Sequence, residues 1–177
     1  NDEVIVPNFT FGASINAIIH VGAIPVLVDV DPETWTISLK AIEAAINKNT
    51  KAIMPVHLYG QSAHIDEINK IAKNNNLHIV EDCAEALGGT YKKRLIGRDG
   101  DATCFSFFAN KLITTGEGGM VVFKDKKIAD KAKIMRDHGM SPQKKYWHEF
   151  AGLNLRMTNM QASIGVAQLK KINNFLL

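Results

Sequence analysis

AIMPVHLYGQSAHIDEINKIAKNNNLHIVED, residues 52–82, is the stretch whose reading decides the fold. It opens on a short apolar run, Ala52–Val56, and closes on another, Leu77–Val80. Between them Ile65, Ile68 and Ile71 recur at helical spacing over Ile65–Ala72. Two apolar runs joined through an amphipathic helix read as a strand–helix–strand unit, which makes the two strands parallel. The runs are continuous rather than alternating, the pattern of strands covered on both faces. The same rhythm extends towards the amino end. Val4-Ile5-Val6 reads as a strand, Ala13–Val21 as a helix, and Ile24–Val30 as a strand closed by Asp29-Val30-Asp31-Pro32. Ser38 then stands as the N-cap of a helix running to Ile46, with Leu39, Ile42, Ala45 and Ile46 on one face.

Beyond residue 88 the pattern changes. Gly88–Gly97 reads as a short hairpin or ribbon. Ala102–Phe107 and Met120–Phe123 are strands flanking a polar, glycine-rich loop, and Ala129–His138 and Thr158–Phe175 are helices. No repeat, low-complexity tract or linker interrupts the chain. The expected class is α/β, a mainly parallel sheet sandwiched between helical layers in one domain.

Composition agrees with a globular domain. Of 177 residues, 46% are hydrophobic and 22% charged, which excludes disorder and fibrous architectures. The net charge of +3 is too small to argue for nucleic acid. No apolar run reaches the roughly 18–20 residues that a membrane helix needs. The acidic opening Asn1-Asp2-Glu3 is unlike a signal peptide. Cys83 and Cys104 make neither a metal cluster nor a secreted framework, so a reduced cytoplasm is the expected compartment. The chain begins without Met, close to a strand, and stops inside a helical pattern at Phe175-Leu176-Leu177. Both ends suggest a piece of a longer protein.

Ligands of open α/β sheets collect at the carboxyl ends of the parallel strands. Phe11 follows the first strand, and His57-Leu58-Tyr59-Gly60 follows Ala52–Val56. Glu81-Asp82-Cys83-Ala84-Glu85 follows Leu77–Val80, and Ser106 through Lys111 follows the next strand and runs into Thr114–Gly119. Carboxylates, hydroxyls, aromatics and a lysine therefore converge on one edge. Position alone leaves each with two readings. Lys111 is either an amine whose desolvation suits it to imine formation or a solvated loop lysine. Asp82 either holds a proton on a heterocyclic nitrogen or caps a helix. Ser106 binds phosphate or the backbone, and Phe11 stacks on a cofactor or fills core. Thr114–Gly119 lacks the Lys-Ser/Thr of a P-loop, and no Gly-x-Gly-x-x-Gly follows the first strand. The histidines His57, His64, His78 and His138 have no ligand spacing and read as structural. Cys83 and Cys104 read as buried small residues, and Lys92-Lys93-Arg94 and Lys144-Lys145 as solvated turns.

Taken together, five segments resemble the sugar-nucleotide aminotransferases of the DegT/DnrJ/EryC1/StrS family. They are Asp2–Pro7 with Thr10-Phe11, Pro55–Gly60, Glu81–Ala86, Phe105–Lys111 running on to Thr115–Met120, and Gly152–Met157 with Gln161-Ala162. The resemblance covers essentially the whole chain, in the family's order and spacing. It implies the large domain of a fold type I, pyridoxal-phosphate-dependent transferase, a three-layer α/β sandwich. It assigns Lys111 to the imine with pyridoxal 5′-phosphate, Asp82 to the pyridinium nitrogen and Phe11 to stacking on the ring. It assigns Ser106 to the phosphate and Glu85, where many members carry Gln, to a contact near the ring oxygen. Asn154 is implied to reach the phosphate of the neighbouring subunit of a homodimer. Related dehydratases carry His at the position of Lys111, so a lysine there favours transamination.

Glu85, Tyr146-Trp147 and Arg156–Asn159 look most like the perosamine-synthase branch, which aminates a GDP-linked 4-keto-6-deoxy sugar. The implied amino donor is glutamate and the implied setting surface-polysaccharide biosynthesis. Family members carry a helix and a phosphate-binding turn ahead of Asp2 and a smaller domain beyond residue 177. Residues 1–177 are thus expected to be the central part of the large domain. A catalytically silent fragment that folds or dimerises without turnover is the alternative.

Overall fold

A computed structural model describes residues 1–176, so Leu177 at the end of the last helical pattern lies outside it. The described residues form two compact units, Asn1–Ser106 and Phe107–Leu176.

The first unit is built on five strands: β1 (Glu3–Pro7), β2 (Ile24–Val28), β3 (Thr50–Ile53), β4 (His78–Asp82) and β7 (Ala102–Ser106). They run side by side in the order β2-β1-β3-β4-β7, with every neighbouring pair parallel. Three helices supply the crossovers: α1 (Gly12–His20), α2 (Leu39–Ala45) and α3 (Ile65–Asn74). Alternation along the strands sorts them onto two faces. Ile5, Ile53 and Ile79 of the sheet cluster with Ile42 of α2 and with Ile65, Ile68 and Ala72 of α3. On the opposite face Ser14 of α1 reaches Asp82. The expected α/β sandwich, helices covering both faces of a parallel sheet, is the architecture found.

Local chemistry sets the boundaries. Ser38 caps α2, its Oγ accepting from Ala41 N at 3.4 Å, as its position predicts. The run Ala52–Val56 is split, because β3 ends at Ile53 and pairing resumes only at Val56 with Asp82. Pro55 has no N–H to donate, although its carbonyl accepts from Asp82 N at 2.9 Å. β2 is shorter than Ile24–Val30 and, as the sheet's edge, leaves Ile24 and Leu27 exposed. Between β4 and β7, β5 (Thr90–Tyr91) and β6 (Arg94–Leu95) form the expected ribbon. Its turn residues Lys92 and Lys93 both have positive φ, the geometry of a tight two-residue hairpin. The basic run stays exposed, as expected of a solvated turn, and two of its residues take acidic partners. Lys92 Nζ lies 2.9 Å from Asp66 of α3, Arg94 pairs with the same carboxylate, and Tyr91 donates to Glu67 at 3.0 Å.

The second unit contains β8 (Gly119–Phe123), α4 (Lys126–Met135), α5 (Asn159–Leu169) and α6 (Ile172–Phe175). α4 begins three residues ahead of Ala129 because Asp125 caps it, accepting from Lys127 N at 2.6 Å. α5 opens on a reciprocal capping box between Thr158 and Gln161. The pattern predicted as one helix over Thr158–Phe175 breaks at Lys170-Lys171, where Lys171 leaves helical geometry and α6 restarts as a single turn. The segment after α4 crosses residues 148–155 at backbone contact. A Cβ on Gly152 would lie 2.2 Å from Gly139 N, and one on Gly139 would lie 1.9 Å from Phe150 O. Gly139 also has φ +68°, which side chains resist.

This crossing makes a testable demand. Gly152→Ala must push two backbones apart and is expected to destabilise by about 1–3 kcal/mol, in the range of overpacking. Thermal melts of the variant should show the loss, whereas Gly116→Ala, which has open space around its Cβ, should lose only the smaller cost of its own positive φ. Equal melting of Gly152→Ala and the parent would contradict the crossing.

Candidate active site

In the first unit the carboxyl ends of β1, β3 and β4 carry the residues that the sequence singles out. Asp82 is the last residue of β4 and is partly buried. Its Oδ2 accepts from Ser14 Oγ at 2.8 Å and its Oδ1 from Ala84 N at 3.1 Å. Thr10 Oγ1 lies 2.9 Å from Ser14 Oγ. An ionised carboxylate only accepts, so Ser14 spends its proton on Asp82 and Thr10 donates to Ser14. The result is a polarised chain, Thr10 to Ser14 to Asp82, that fixes the rotamer of the carboxylate. Each oxygen keeps acceptor capacity for a further donor. That suits a carboxylate meant to receive the N–H of a protonated heterocycle, so Asp82 fits the ring nitrogen of pyridoxal phosphate.

Phe11 precedes the first turn of α1 and is 81% exposed. Such exposure of a phenylalanine at the carboxyl edge of the sheet leaves its ring face open to an aromatic ligand. Glu85 Oε2 accepts from Tyr59 N at 3.2 Å, and Glu85 O accepts from Gly60 N at 2.9 Å. Tyr59 and Gly60 both have positive φ, so Glu85 fastens the turn they make beyond β3. Ser106 ends β7.

On the other face of β4, Glu81 is fully buried and so is His57. His57 Nε2 lies 2.9 Å from Glu81 Oε2. Glu81 Oε1 accepts from Asp99 N at 3.0 Å, Gly100 N at 2.6 Å and Thr103 Oγ1 at 3.2 Å. Burial pushes the carboxyl up, but the hydrogen bonds from His57 and Gly100, the electrostatic attraction of His57 and the Asp99 amide prevail and hold it below its ordinary value of 4.5. Cys83 and Cys104 are pushed up by burial first, then by neighbouring carboxylates, Cys104 to about 11. Both thiols stay protonated, which agrees with their reading as packing residues rather than nucleophiles.

In the second unit Lys111 is half-buried, with its N–H donating to Phe108 O at 3.0 Å. The loop that carries it is closed by Phe107, whose N donates to Gly118 O while its carbonyl accepts from Thr115 N, both at 2.9 Å. α5 grips this loop through Gln168, which accepts from Thr114 N at 3.0 Å and donates to Thr114 O at 2.6 Å. Gln161 Nε2 donates to Glu117 O at 3.2 Å. The glycine-rich loop is therefore a clamped platform for Lys111. Asn154 Oδ1 accepts from Arg156 Nε at 3.1 Å, and Arg156 Nη1 pairs with Asp137 at 3.0 Å. An arginine only donates, so it must face the Asn154 oxygen, which turns the amide N–H₂ outward.

The family resemblance assigns no role to Ser14, His57 or Glu81, although His57 and Glu81 lie within its segments. Ser14 carried a faint signal, a hydroxyl four residues before Ile18 on the buried face of α1. Glu81 carried one too, a second carboxylate inside an apolar strand, where a charge requires partners.

The model of the DegT/DnrJ/EryC1/StrS aminotransferase family matches residues 1–177. The chain is 50% identical over 175 residues to the GDP-perosamine synthase of Caulobacter vibrioides, covering 99% of this chain and 47% of that protein. It is 44% identical over 175 residues to the GDP-perosamine synthase of Vibrio cholerae, covering 99% and 48%. The crystal structure of an aminotransferase from Psychrobacter cryohalolentis superposes with TM-score 0.91 at 41% identity, covering 98% of this chain and 47% of that one. The chain spans about half the length of the curated relatives it matches. No helix of the described residues is long and apolar enough to cross a membrane.

The buried carboxylate predicts an acid limb of stability. A group whose folded pKa is depressed stabilises the fold above its unfolded value and loses that contribution as pH falls through the folded one. Melting temperature should therefore drop below pH 4.5, the ordinary value of Glu81. Glu81→Gln should melt lower at pH 7 yet lose less between pH 7 and pH 3. An acid limb of the same steepness in the variant would show that Glu81 is not the titrating group.

Proposed function

The chain belongs to the DegT/DnrJ/EryC1/StrS aminotransferase family, and from that premise we propose that it forms the central part of the large domain of a pyridoxal-phosphate-dependent sugar-nucleotide aminotransferase. An amino-terminal segment and a carboxy-terminal small domain complete the protein in this reading. The observation that carries it is the Asp82 carboxylate, held at the edge of the sheet by Ser14 and Ala84 with acceptor capacity to spare. When bound, pyridoxal 5′-phosphate supplies the electron sink that lets an amino group pass between carbon atoms.

The residues of the chain divide the remaining work. Lys111 Nζ would hold the cofactor covalently, and its free amine would move the proton of the α-carbon of the amino donor, glutamate, first as a general base and then as a general acid. Asp82 keeps a proton on the ring nitrogen. Phe11 covers one face of the ring and excludes water there. Ser106 donates its hydroxyl to the phosphate, and Asn154, its N–H₂ turned outward by Arg156, does so across the interface of a homodimer. Glu85 approaches the ring oxygen from the Tyr59-Gly60 turn that it fastens. The acceptor is a nucleotide-linked 4-keto-6-deoxy sugar, GDP-linked as the perosamine synthases' name suggests, in polysaccharide biosynthesis. The unpaired thiols of Cys83 and Cys104 support a cytoplasmic setting.

A second reading rests on length. A chain spanning about half of its relatives could fold or dimerise without turnover.

The test begins with pyridoxal phosphate added to the chain. An imine absorbance band that borohydride fixes onto Lys111 is expected, and Lys111→Ala should abolish the labelling. Equal labelling of Lys111→Ala would refute the assignment. Release of 2-oxoglutarate from glutamate in the presence of keto-sugar nucleotides would establish transamination. A band without turnover on any of them would favour the silent fragment. In the full-length protein, Asp82→Asn should lower kcat by at least about 100-fold, the scale of losing an interaction made in the transition state.

A further inference from the structure

Behind Asp82, on the opposite face of β4, lies the buried pair that the proposed chemistry leaves unused. Ala63 N donates to His57 Nδ1 at 3.1 Å. Ser62 Oγ, which donates to Ala63 O at 2.7 Å, lies 3.3 Å from the same ring nitrogen. Nε2–H donates to Glu81 Oε2 at 2.9 Å. Glu81 thus receives donors from His57, Asp99, Gly100 and Thr103, which solvate its charge.

Cys83 offers its sulfur within 4.8 Å of the ligand atoms of His57 and Glu81. The trio is nevertheless poor as a metal site. Both ring nitrogens are engaged in hydrogen bonds, and burial together with the charges of Glu81 and Asp82 keeps the thiol protonated.

His57 and Pro55 also clamp the backbone of Asp82. His57 N donates to Asp82 O, and Asp82 N donates to Pro55 O, both at 2.9 Å. The side-chain bond from His57 to Glu81 runs beside them and ties the same two strand ends. We propose that His57 and Glu81 are positioning residues for Asp82, with His57 locking the strand ends and Glu81 acting as a buried second anion that favours a proton on the ring nitrogen of pyridoxal phosphate. This rests on the reading of Asp82 as that nitrogen's partner. A buried anion in a low-dielectric interior stabilises nearby positive charge. It also works against ionisation of Asp82 itself, and the Ser14 and Ala84 donors offset that cost. The groups facing Glu81 are His57 beyond β3, Thr103 of β7, the amides of Asp99 and Gly100, and Cys83 of its own chain segment. Those facing Asp82 are Ser14 of α1 and Ala84 N.

The test uses the full-length protein and four variants, Glu81→Gln, His57→Phe, His57→Gln and Asp82→Asn. Without cofactor, the parent should show a downfield proton resonance from His57 Nε2–H, and its absence would overturn the inference. With ring-¹⁵N-labelled pyridoxal phosphate, the ¹⁵N shift reports protonation of the ring nitrogen directly. Glu81→Gln and His57→Phe should lower the pH at which that nitrogen deprotonates by about one unit. Their kcat should fall about tenfold, with KM for glutamate changed less than about twofold. His57→Gln keeps an N–H able to reach Glu81 and should restore both quantities to within about threefold of the parent. If Glu81→Gln does not fold, the two His57 variants carry the comparison. Damage from His57→Gln equal to that from His57→Phe would reduce the pair to a structural role and overturn the proposal. So would parental ¹⁵N titration in both Glu81→Gln and His57→Phe while Asp82→Asn loses the ring proton. A ring nitrogen still protonated in Asp82→Asn would instead sink the reading of Asp82 on which the proposal rests.

Discussion

A β-strand sends neighbouring side chains to opposite faces, and at the end of β4 that rule separates two adjacent carboxylates. Asp82 turns towards α1, and Glu81 turns into the interior beneath α3. Each answers the cost of burial in its own way. Asp82 takes two donors and stays at the rim of the sheet, with capacity left for a ligand. Glu81 takes four and is sealed. Much of the first unit follows from satisfying this pair: the Thr10–Ser14 relay on α1, the turn of His57 after Pro55, and the course of residues 99–103 into β7.

The second unit solves a different problem. A glycine-rich loop has little intrinsic order, yet Lys111 has to be held on one. α5 supplies the order from outside, with Gln168 making a two-way bond to Thr114 and Gln161 reaching Glu117. These glutamines read as ordinary polar helix residues in the sequence. Their partners lie more than forty residues away, and no local pattern announces them. Arg156 is similar in kind: its bond to Asn154 decides which end of an amide faces outward, a matter of geometry that composition does not express.

How far the sequence could be read follows from the range of the forces involved. Ile65, Ile68 and Ile71 announce α3 because amphipathic periodicity is local, and the continuous runs of β1, β3 and β4 announce a parallel sheet for the same reason. The Ser38 cap was legible too. Errors fell at element boundaries. Pro55 split a strand that apolarity alone would have drawn whole, and the Asp125 cap extended α4 towards its amino end. At the site, motif resemblance assigns roles to Asp82, Lys111 and Asn154 and none to Ser14 or His57. The supporting residues belong to other elements and have no motif of their own.

The two amides that reach Glu81 sit in the loop before β7, where solvent exposure would ordinarily let backbone protons trade quickly with water. Here the acceptor is a sealed carboxylate on the neighbouring strand. Asp99 and Gly100 must break a bond to the interior of the sheet before their protons exchange, so they are expected to exchange more slowly than loop amides that face water. A segment that looks peripheral by sequence is thus tied into the interior of the unit.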